Sequence, residues 1–529
     1  MRMIARRRLG AEDGFTMIFA LMVLTISSLL IAAAFVAAKG DISNTQHDLS
    51  GKRAYAAARA GLANFVYKLN KDTELWTTCP TQAVTQVPGG PTDLKFSYSP
   101  LAANGNATCS ASNPVGTMID FTTGSFRMKF TGTAGTPAVS RTIVASFRRD
   151  SPLDYLWYSV YETLDPNTYS VPANYQDCAA FARNGRPSKC GTISWITGDL
   201  IKGPMYTQDQ YSICGSPTFG RAGGTDTIRT TAPLSAPGLI PTPGCSNNAV
   251  LNGPLIQPAP YINPPPDNTS LLTYAQQNGL VYSGKTTIVL NGATAMVTNA
   301  NTQACGTGCQ TNCASGCTVN LAANPIIYVT NGICSSTYSP YFMGTTNYTA
   351  ATACGNIHVS GTYSSSVTIA AANDIIVNGS VTTNLSGSAV MGMVANNFIR
   401  VMHAVNVSSA QDQGQGGTCD NVSAYTLPNL RIDAALLALN HSFIVDNYNC
   451  GQPITGSLTV NGAIAQLFRG TVGTTSGGSS VTGYLKNYTY DDRLAVQMPP
   501  YLFDIALASW RVVRETSCVQ GSTDAAVAC

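Results

Sequence analysis

Charge is the scarcest property of this sequence. Only 11% of its 529 residues are charged, against about a quarter in an ordinary soluble protein. There are four histidines and four tryptophans, no cysteine before Cys79, and no charged residue from Phe15 to Ala38. Each absence excludes something. The low charge argues against a helical cytosolic enzyme. Beyond residue 72, 20 Lys/Arg stand against 22 Asp/Glu, so no basic face for nucleic acid follows. No Gly-rich phosphate loop, nucleophile elbow, zincin helix or EF-hand loop occurs. No catalytic residue is assigned, and neither a cofactor nor a metal is called for.

What is abundant is Gly (48), Tyr (24) and small polar residues, a composition suited to β-rich secreted proteins. The length calls for more than one domain. The uncharged run of 24 residues makes about 36 Å of helix, enough to cross the roughly 30 Å hydrocarbon core. Phe15, Phe19, Leu21, Val23, Leu24, Leu29, Leu30 and Ile31 supply its membrane and helix-packing surface. Arg2, Arg6, Arg7 and Arg8 precede it, so the positive-inside rule puts the N-terminus in the cytoplasm and the rest outside. All 16 cysteines fall on the outer, oxidising side, where disulfides are the default. Sequence neighbours suggest Cys79 with Cys109, Cys178 with Cys190, Cys214 with Cys245, Cys334 with Cys354, Cys419 with Cys450 and Cys518 with Cys529. Cys305, Cys309, Cys313 and Cys317 would hold two local bridges. Their four-residue spacing fits zinc poorly, because zinc motifs separate two close pairs by a longer loop.

Three readings compete for the apolar run. It is too long for a signal-peptide core, although FVAAKG resembles a cleavage region. It suits a plain signal anchor. It also suits a prepilin-like segment cut on the cytoplasmic side between Gly14 and Phe15, since RRRLGAEDG precedes FTMIFALMVL. On Gly14, Phe15, the apolar run and the following AYAAARAGLANFVYKL, residues 1–72 resemble the PilX-type minor pilins and related pseudopilins. The resemblance implies peptidase processing, a continuous N-terminal helix, and partnership with other pilin-like subunits and the assembly machinery. Phe19 stands at the fifth mature position, where major pilins carry Glu. That departure implies a minor or tip position, or an anchor that does not polymerise. Leu49, Ala56, Ala60, Ala63, Val66 and Tyr67 form an apolar stripe on the polar half, for packing on the next domain or on another helix. Gly40 marks an expected bend.

The rest reads as mainly β. Residues 1–14 are a leader, 15–72 the transmembrane and extended helix, and 73–150 a small antiparallel β unit of pilin type. In that unit LKFSYS is strand-like and MIDFTTGSFRMKF and VSRTIVASFRRD alternate as strands, whereas TTCPTQAV and VPGGPTD are breakers. Residues 151–480 read as an ectodomain with irregular insertions. The segment QPAPYINPPPD is polyproline-like, and SLLTYAQQNGL is an inserted helix or cap. Short β-branched runs are broken at Asn252, Asn291, Asn331, Asn378 and Asn461, each followed by Gly, and Gly361 to Gly379 spans 18 residues. That texture predicts a right-handed parallel β-helix-like solenoid whose Asn-Gly corners are left-handed; a sandwich is the alternative. Residues 470–483 are a flexible loop. Residues 481–529 form a C-terminal cap and tail, with Tyr501, Leu502, Leu507 and Trp510 closing the solenoid. The ectodomain, over residues 190–515, resembles in texture the β-helical ectodomains that follow PilX-like N-termini.

Chemistry is thinly signalled. His358 and His441 lie by strand-like runs, as structural residues or on one solenoid face; His47 and His403 complete the set. A polysaccharide lyase or hydrolase would need carboxylates converging on one groove, for which Asp209, Asp374, Asp446, Asp491 and Asp492 with Arg493 are the candidates. The preferred expectation is a type IV pilus- or secretion-associated surface protein. It would be single-pass in a bacterial cytoplasmic membrane, displaying a β-domain at the pilus or cell surface for assembly or adhesion, with carbohydrate or another surface ligand as partner. The alternatives are a tethered β-helical carbohydrate-active enzyme and a purely structural envelope protein.

Overall fold

Helix α1, Phe15–Lys71, takes in the whole apolar run and its polar continuation, and is helical throughout, Gly40 included. Behind it the chain is mainly β, with one large and several small sheets. The computed structural model describes residues 15–300, 313–334, 338–341, 343–350, 352–407, 419–476, 479–504 and 510–517. It divides into two units: residues 1–118, 126–147 and 512–529, and residues 119–125 and 148–511.

In the first unit the rear half of α1 packs on an antiparallel sheet. The strands are β1 (Gln82–Gln86), β2 (Lys95–Leu101), β3 (Phe126–Ala134) and β4 (Val139–Arg149), with Trp510–Ser517 as the fifth beside β4. The helix buries Ala54, Ala57, Ala58, Leu62, Phe65 and Leu69, spaced three and four apart. The small residues serve close approach. A Cβ on Gly132 of β3 would stand 2.1 Å from the Ala54 carbonyl oxygen and 2.3 Å from the Ala58 nitrogen. Phe65 fills the gap beyond, with Tyr98, Phe126, Phe130 and Phe147 at centroid distances of 5.2–6.4 Å. Such rings prefer edge-to-face packing.

Three expectations are corrected here. The stripe of Leu49, Ala56, Ala60, Ala63, Val66 and Tyr67 is not the face that meets the sheet; Leu49 and Tyr67 are exposed. The strand β1 lies in a stretch expected as loop, because pairing with β2 outweighs its weak local propensity. Trp510, expected in a solenoid cap, instead begins the fifth strand of this sheet.

The second unit is built on parallel ladders. One column runs Leu280, Ile327, Ile369, Met393, Leu436, Ile464, Trp157, Met205, Ile228 and Leu255, each residue paired with the next. Its eight inner members are buried, and only the two end residues are half-exposed. A second column, Ile288, Val359, Val377, Val401 and Val445, is wholly buried. Ladder order is therefore not chain order. The chain enters mid-stack at Trp157–Tyr161 and works outward to Leu255–Ile256. It re-enters at the opposite end with Leu280–Ser283 and winds back to Pro453–Phe468.

The Pro-rich segment and the helix Thr269–Asn278 make that long return. Tyr206 donates to Pro260 O (2.9 Å) and accepts from Ile262 N (3.0 Å). Further on, Asn268 donates to Ala371 O (2.9 Å) and Val394 O (3.2 Å). Spacing between paired residues is irregular. Ile357 pairs with Ile375 at the expected 18, but Ile375 pairs with Ile399 and Ile399 with Phe443, because the corners carry insertions.

The Asn-Gly pairs divide. Gly292 is left-handed as expected, whereas Gly253 and Gly462 are not. A Cβ there would lie 1.9 Å from Asp226 O and from Ala434 O respectively, so glycine permits close stacking of one strand on the next. Part of the expected 470–483 loop is a hairpin, Gly473–Ser476 with Ser479–Tyr490. Disulfides join Cys79–Cys109, Cys178–Cys190, Cys214–Cys245, Cys313–Cys317, Cys334–Cys354 and Cys419–Cys450. Cys305, Cys309, Cys518 and Cys529 lie outside the described residues, as does Leu507.

Replacing Gly132 by Val should lower the denaturation midpoint of the first unit by at least the about 1–3 kcal/mol of an overpacked core, since backbone, not a side chain, stands in the way. Replacing Gly40, which faces open space, by Ala should not. Chemical denaturation followed by aromatic fluorescence checks both.

Candidate functional site

Two regions carry chemistry beyond packing. The first is α1. Gly14 lies outside the described residues, and Phe15 is the first residue of the helix. Phe19, Leu21, Val23, Leu24, Leu29, Leu30 and Ile31 are all exposed. By length and composition this is one helix able to cross a membrane. Further along, Ala56, Ala60, Ala63, Val66 and Tyr67 line an open groove of about 800 Å3 with Val512. At its edge Tyr55 donates to Glu515 (3.0 Å), and Arg59 pairs with the same carboxylate (3.3 Å). The stripe read from sequence is thus the uncovered face of the helix.

The second region is a buried ion cluster in the larger unit. Ile357, Ile375, Ile399 and Phe443 align in one ladder, which brings His358, Ile376, Arg400 and Ile444 into line beside them. Arg400 donates from Nε and Nη2 to Asp446 (3.0 and 2.9 Å) and from Nη1 to Asp374 (3.1 Å). Tyr338 and Tyr348 donate to the two oxygens of Asp446 (2.5 and 2.7 Å). Burial alone would lower the Arg400 pKa. The charge of Asp446, the Tyr338 phenol and Asp374 outweigh it and raise it well above the ordinary value. Burial raises Asp374, with Arg400 opposing. Burial pushes His358 down to about 3, helped by the charges of Lys285 and Arg400, so it is neutral. Above the cluster, Met343 and Tyr348 of the Cys334–Cys354 loop pack on Ile376. A cavity of about 400 Å3 remains, lined by Tyr338, Asn356, Asn373, Asp374 and Arg400 among others.

Of the carboxylates proposed from sequence, only Asp374 and Asp446 come together, sharing Arg400. Asp209 pairs with Arg186 and accepts the Glu162 and Ala182 amides. Asp491 holds Arg493 (2.6 Å), and Asp492 holds Arg221 (2.7 Å). His441 joins Asp165 through Nδ1 (2.8 Å) and stacks on Phe398. No side chain among the described residues bonds its Nε2, so it has no serine or cysteine to activate. His403 is a buried link between Asp446 O and Asn421.

Sequence reading missed two arrangements. Glu162 and Arg469, 307 residues apart, form a fully buried pair (2.9 Å), with Arg469 3.8 Å from the Trp195 ring centroid. No spacing could have signalled it. The second is a stack of amides: Asn397 donates to Asn373 and Asn373 to Asn356, each at 2.7 Å. Its signal was present, since each Asn opens a run ending in Val359, Val377 or Val401.

No protein-family model matches this chain, and no curated protein does. Among solved structures it is similar to the crystal structure of the competence-associated pilin ComZ from Thermus thermophilus. The identity is 10% and the TM-score 0.29, over 89% of this chain and 98% of that one. A likeness that low adds nothing to the geometry, and the functional reading rests on the geometry alone.

Replacing Arg400 by Met should destabilise the larger unit by about 3–5 kcal/mol, because Asp374 and Asp446 stay buried without their cation. Replacing the exposed Asp492 should change little. Urea unfolding compares them. His358 gives a pH signature. Its folded pKa lies below its unfolded value of 6.5, so its neutral burial costs nothing above that pH, and stability falls as pH drops from 6.5 toward 3. His358→Gln should shallow that slope by up to about 1.4 kcal/mol per pH unit, read from denaturation midpoints across the range.

Proposed function

We propose that this protein is a minor-pilin-like surface protein, held by α1 in a bacterial cytoplasmic membrane with its N-terminus inside. The single observation that carries the reading is the division of labour along α1. Its first half is apolar and uncovered, while its second half buries one small-residue face on an antiparallel sheet and leaves a second apolar face open. A helix of this kind suits a bilayer at one end and lateral packing against other pilin-like subunits at the other. The disulfides favour an extracytoplasmic position for both units. Phe19 in place of an acidic residue favours a minor position over a major fibre subunit. The parallel columns of the larger unit support a β-solenoid, displayed for assembly or adhesion. The carbohydrate-active enzyme reading is less favoured, because only two of its carboxylates, Asp374 and Asp446, come together, and both are held by Arg400.

Terminal sequencing of protein recovered from membranes should give a mature start at Phe15. An intact Met1, or a start after Ala38, would sink the processing step. Lateral packing has its own check. Ala63→Cys, on the open face, should give disulfide-linked species in membranes, whereas Ala57→Cys, buried on the sheet, should not.

A further inference from the structure

The cavity beneath the Cys334–Cys354 loop lies outside everything the anchoring helix explains. At about 400 Å3 it falls within the about 300–1,000 Å3 typical of small-ligand sites. We propose that it binds one neutral pyranose unit of a glycan.

Its shape is fixed before any ligand arrives. Tyr338 and Tyr348 both donate to Asp446, and Asn447 bonds both the amide and the carbonyl of Met343 (3.0 and 2.9 Å). A preformed wall saves the ordering cost of binding. The polar groups on the lining are incompletely used. Asn356 Oδ1 accepts from Asn373 (2.7 Å) and from the Asp374 amide (3.2 Å), while its Nδ2 has no partner among the described residues. Asp374 accepts one bond at each oxygen, from Phe398 N and from Arg400, where a carboxylate can take about four. Arg400 uses one N–H at each terminal nitrogen. Free donors and acceptors therefore stand side by side. Adjacent hydroxyls, each able to donate and to accept, meet that pattern; a carbonyl or an ammonium meets only half of it.

Charge selects further. The one carboxylate on the lining, Asp374, is paired with the one cation there, Arg400 (3.1 Å), while the oxygens of Asp446 are taken by Arg400, Tyr338 and Tyr348. The formal charges on the lining cancel, so neither an anion nor a cation gains net attraction there. The exposed Thr346 and Asn347 complete the polar lining. The proposal gives the displayed unit a ligand and does not depend on processing after Gly14, so either can fail alone.

The test uses the full chain in detergent. Calorimetry and saturation-transfer NMR would measure binding of the methyl glycosides of glucose, galactose, mannose and N-acetylglucosamine. Glucuronate and inorganic phosphate are the charged probes. At least one neutral glycoside should bind saturably with a millimolar Kd, and both charged probes about tenfold or more weaker. Asn356→Ala and Thr346→Ala should each weaken the neutral sugar, Asn356→Ala by about tenfold, and the exposed Thr346→Ala should do so with an unchanged melting temperature. If Asn356→Ala fails to fold, Thr346→Ala and Asn347→Ala, both at exposed positions, decide. Three results would overturn the proposal: no neutral glycoside binding, binding indifferent to these substitutions, or preference for a charged probe.

Discussion

The pairing of Ile464 with Trp157 is the contact on which the larger unit depends. It joins two halves of the ladder column that are remote in sequence, and without it each half ends in an unpaired edge. The local chemistry reinforces the joint. Glu162 and Arg469 form their buried pair beside it, Arg469 stacks between Trp157 and Trp195, and Lys486 reaches Asp199 (2.9 Å) next to the same indole. Burial lowers the Lys486 pKa, with the charge of Asp199 opposing. Burying so much charge is costly unless each ion is matched. Here the matching contacts exist only when both halves are in place. The joint also makes the topology strongly non-local, which places its formation late and slow in folding.

Much of the architecture was legible. The apolar run, the long helix, the β-rich remainder and the helix near residue 270 follow from hydropathy and periodicity. What was not legible has physical causes. The buried face of α1 mixes Ala54, Ala57 and Ala58 with Leu62, Phe65 and Leu69, and the open face carries Ala, Val and Tyr as well, so hydropathy alone does not say which apolar stripe meets the sheet. The weak strand β1 exists because β2 offers it a ladder. The Asn-Gly pairs were visible as punctuation, yet their reason, close approach of a neighbouring strand to Gly253 and Gly462, depends on stacking that no local rule contains.

The polar interior followed the same division. The asparagines at 356, 373 and 397 recur before similar apolar runs, so their alignment was available in the sequence. The Asp374–Arg400–Asp446 cluster was not, because its members come from three separate strands or corners and from irregular spacings. Asp374 and Asp446 were picked out as possible acids. In the fold both are held by one arginine, and the cavity left beside them carries one carboxylate and one guanidinium, Asp374 and Arg400, on its lining.

The mid-stack entry of the chain has a mechanical meaning. The strand Trp157–Tyr161 continues the chain that leaves β4, so a pull carried through that connection reaches the larger unit at an inner rung rather than at an end. Parallel strands peeled from an end yield one at a time. A pull on an inner rung must shear ladders on both sides at once, and the load is shared.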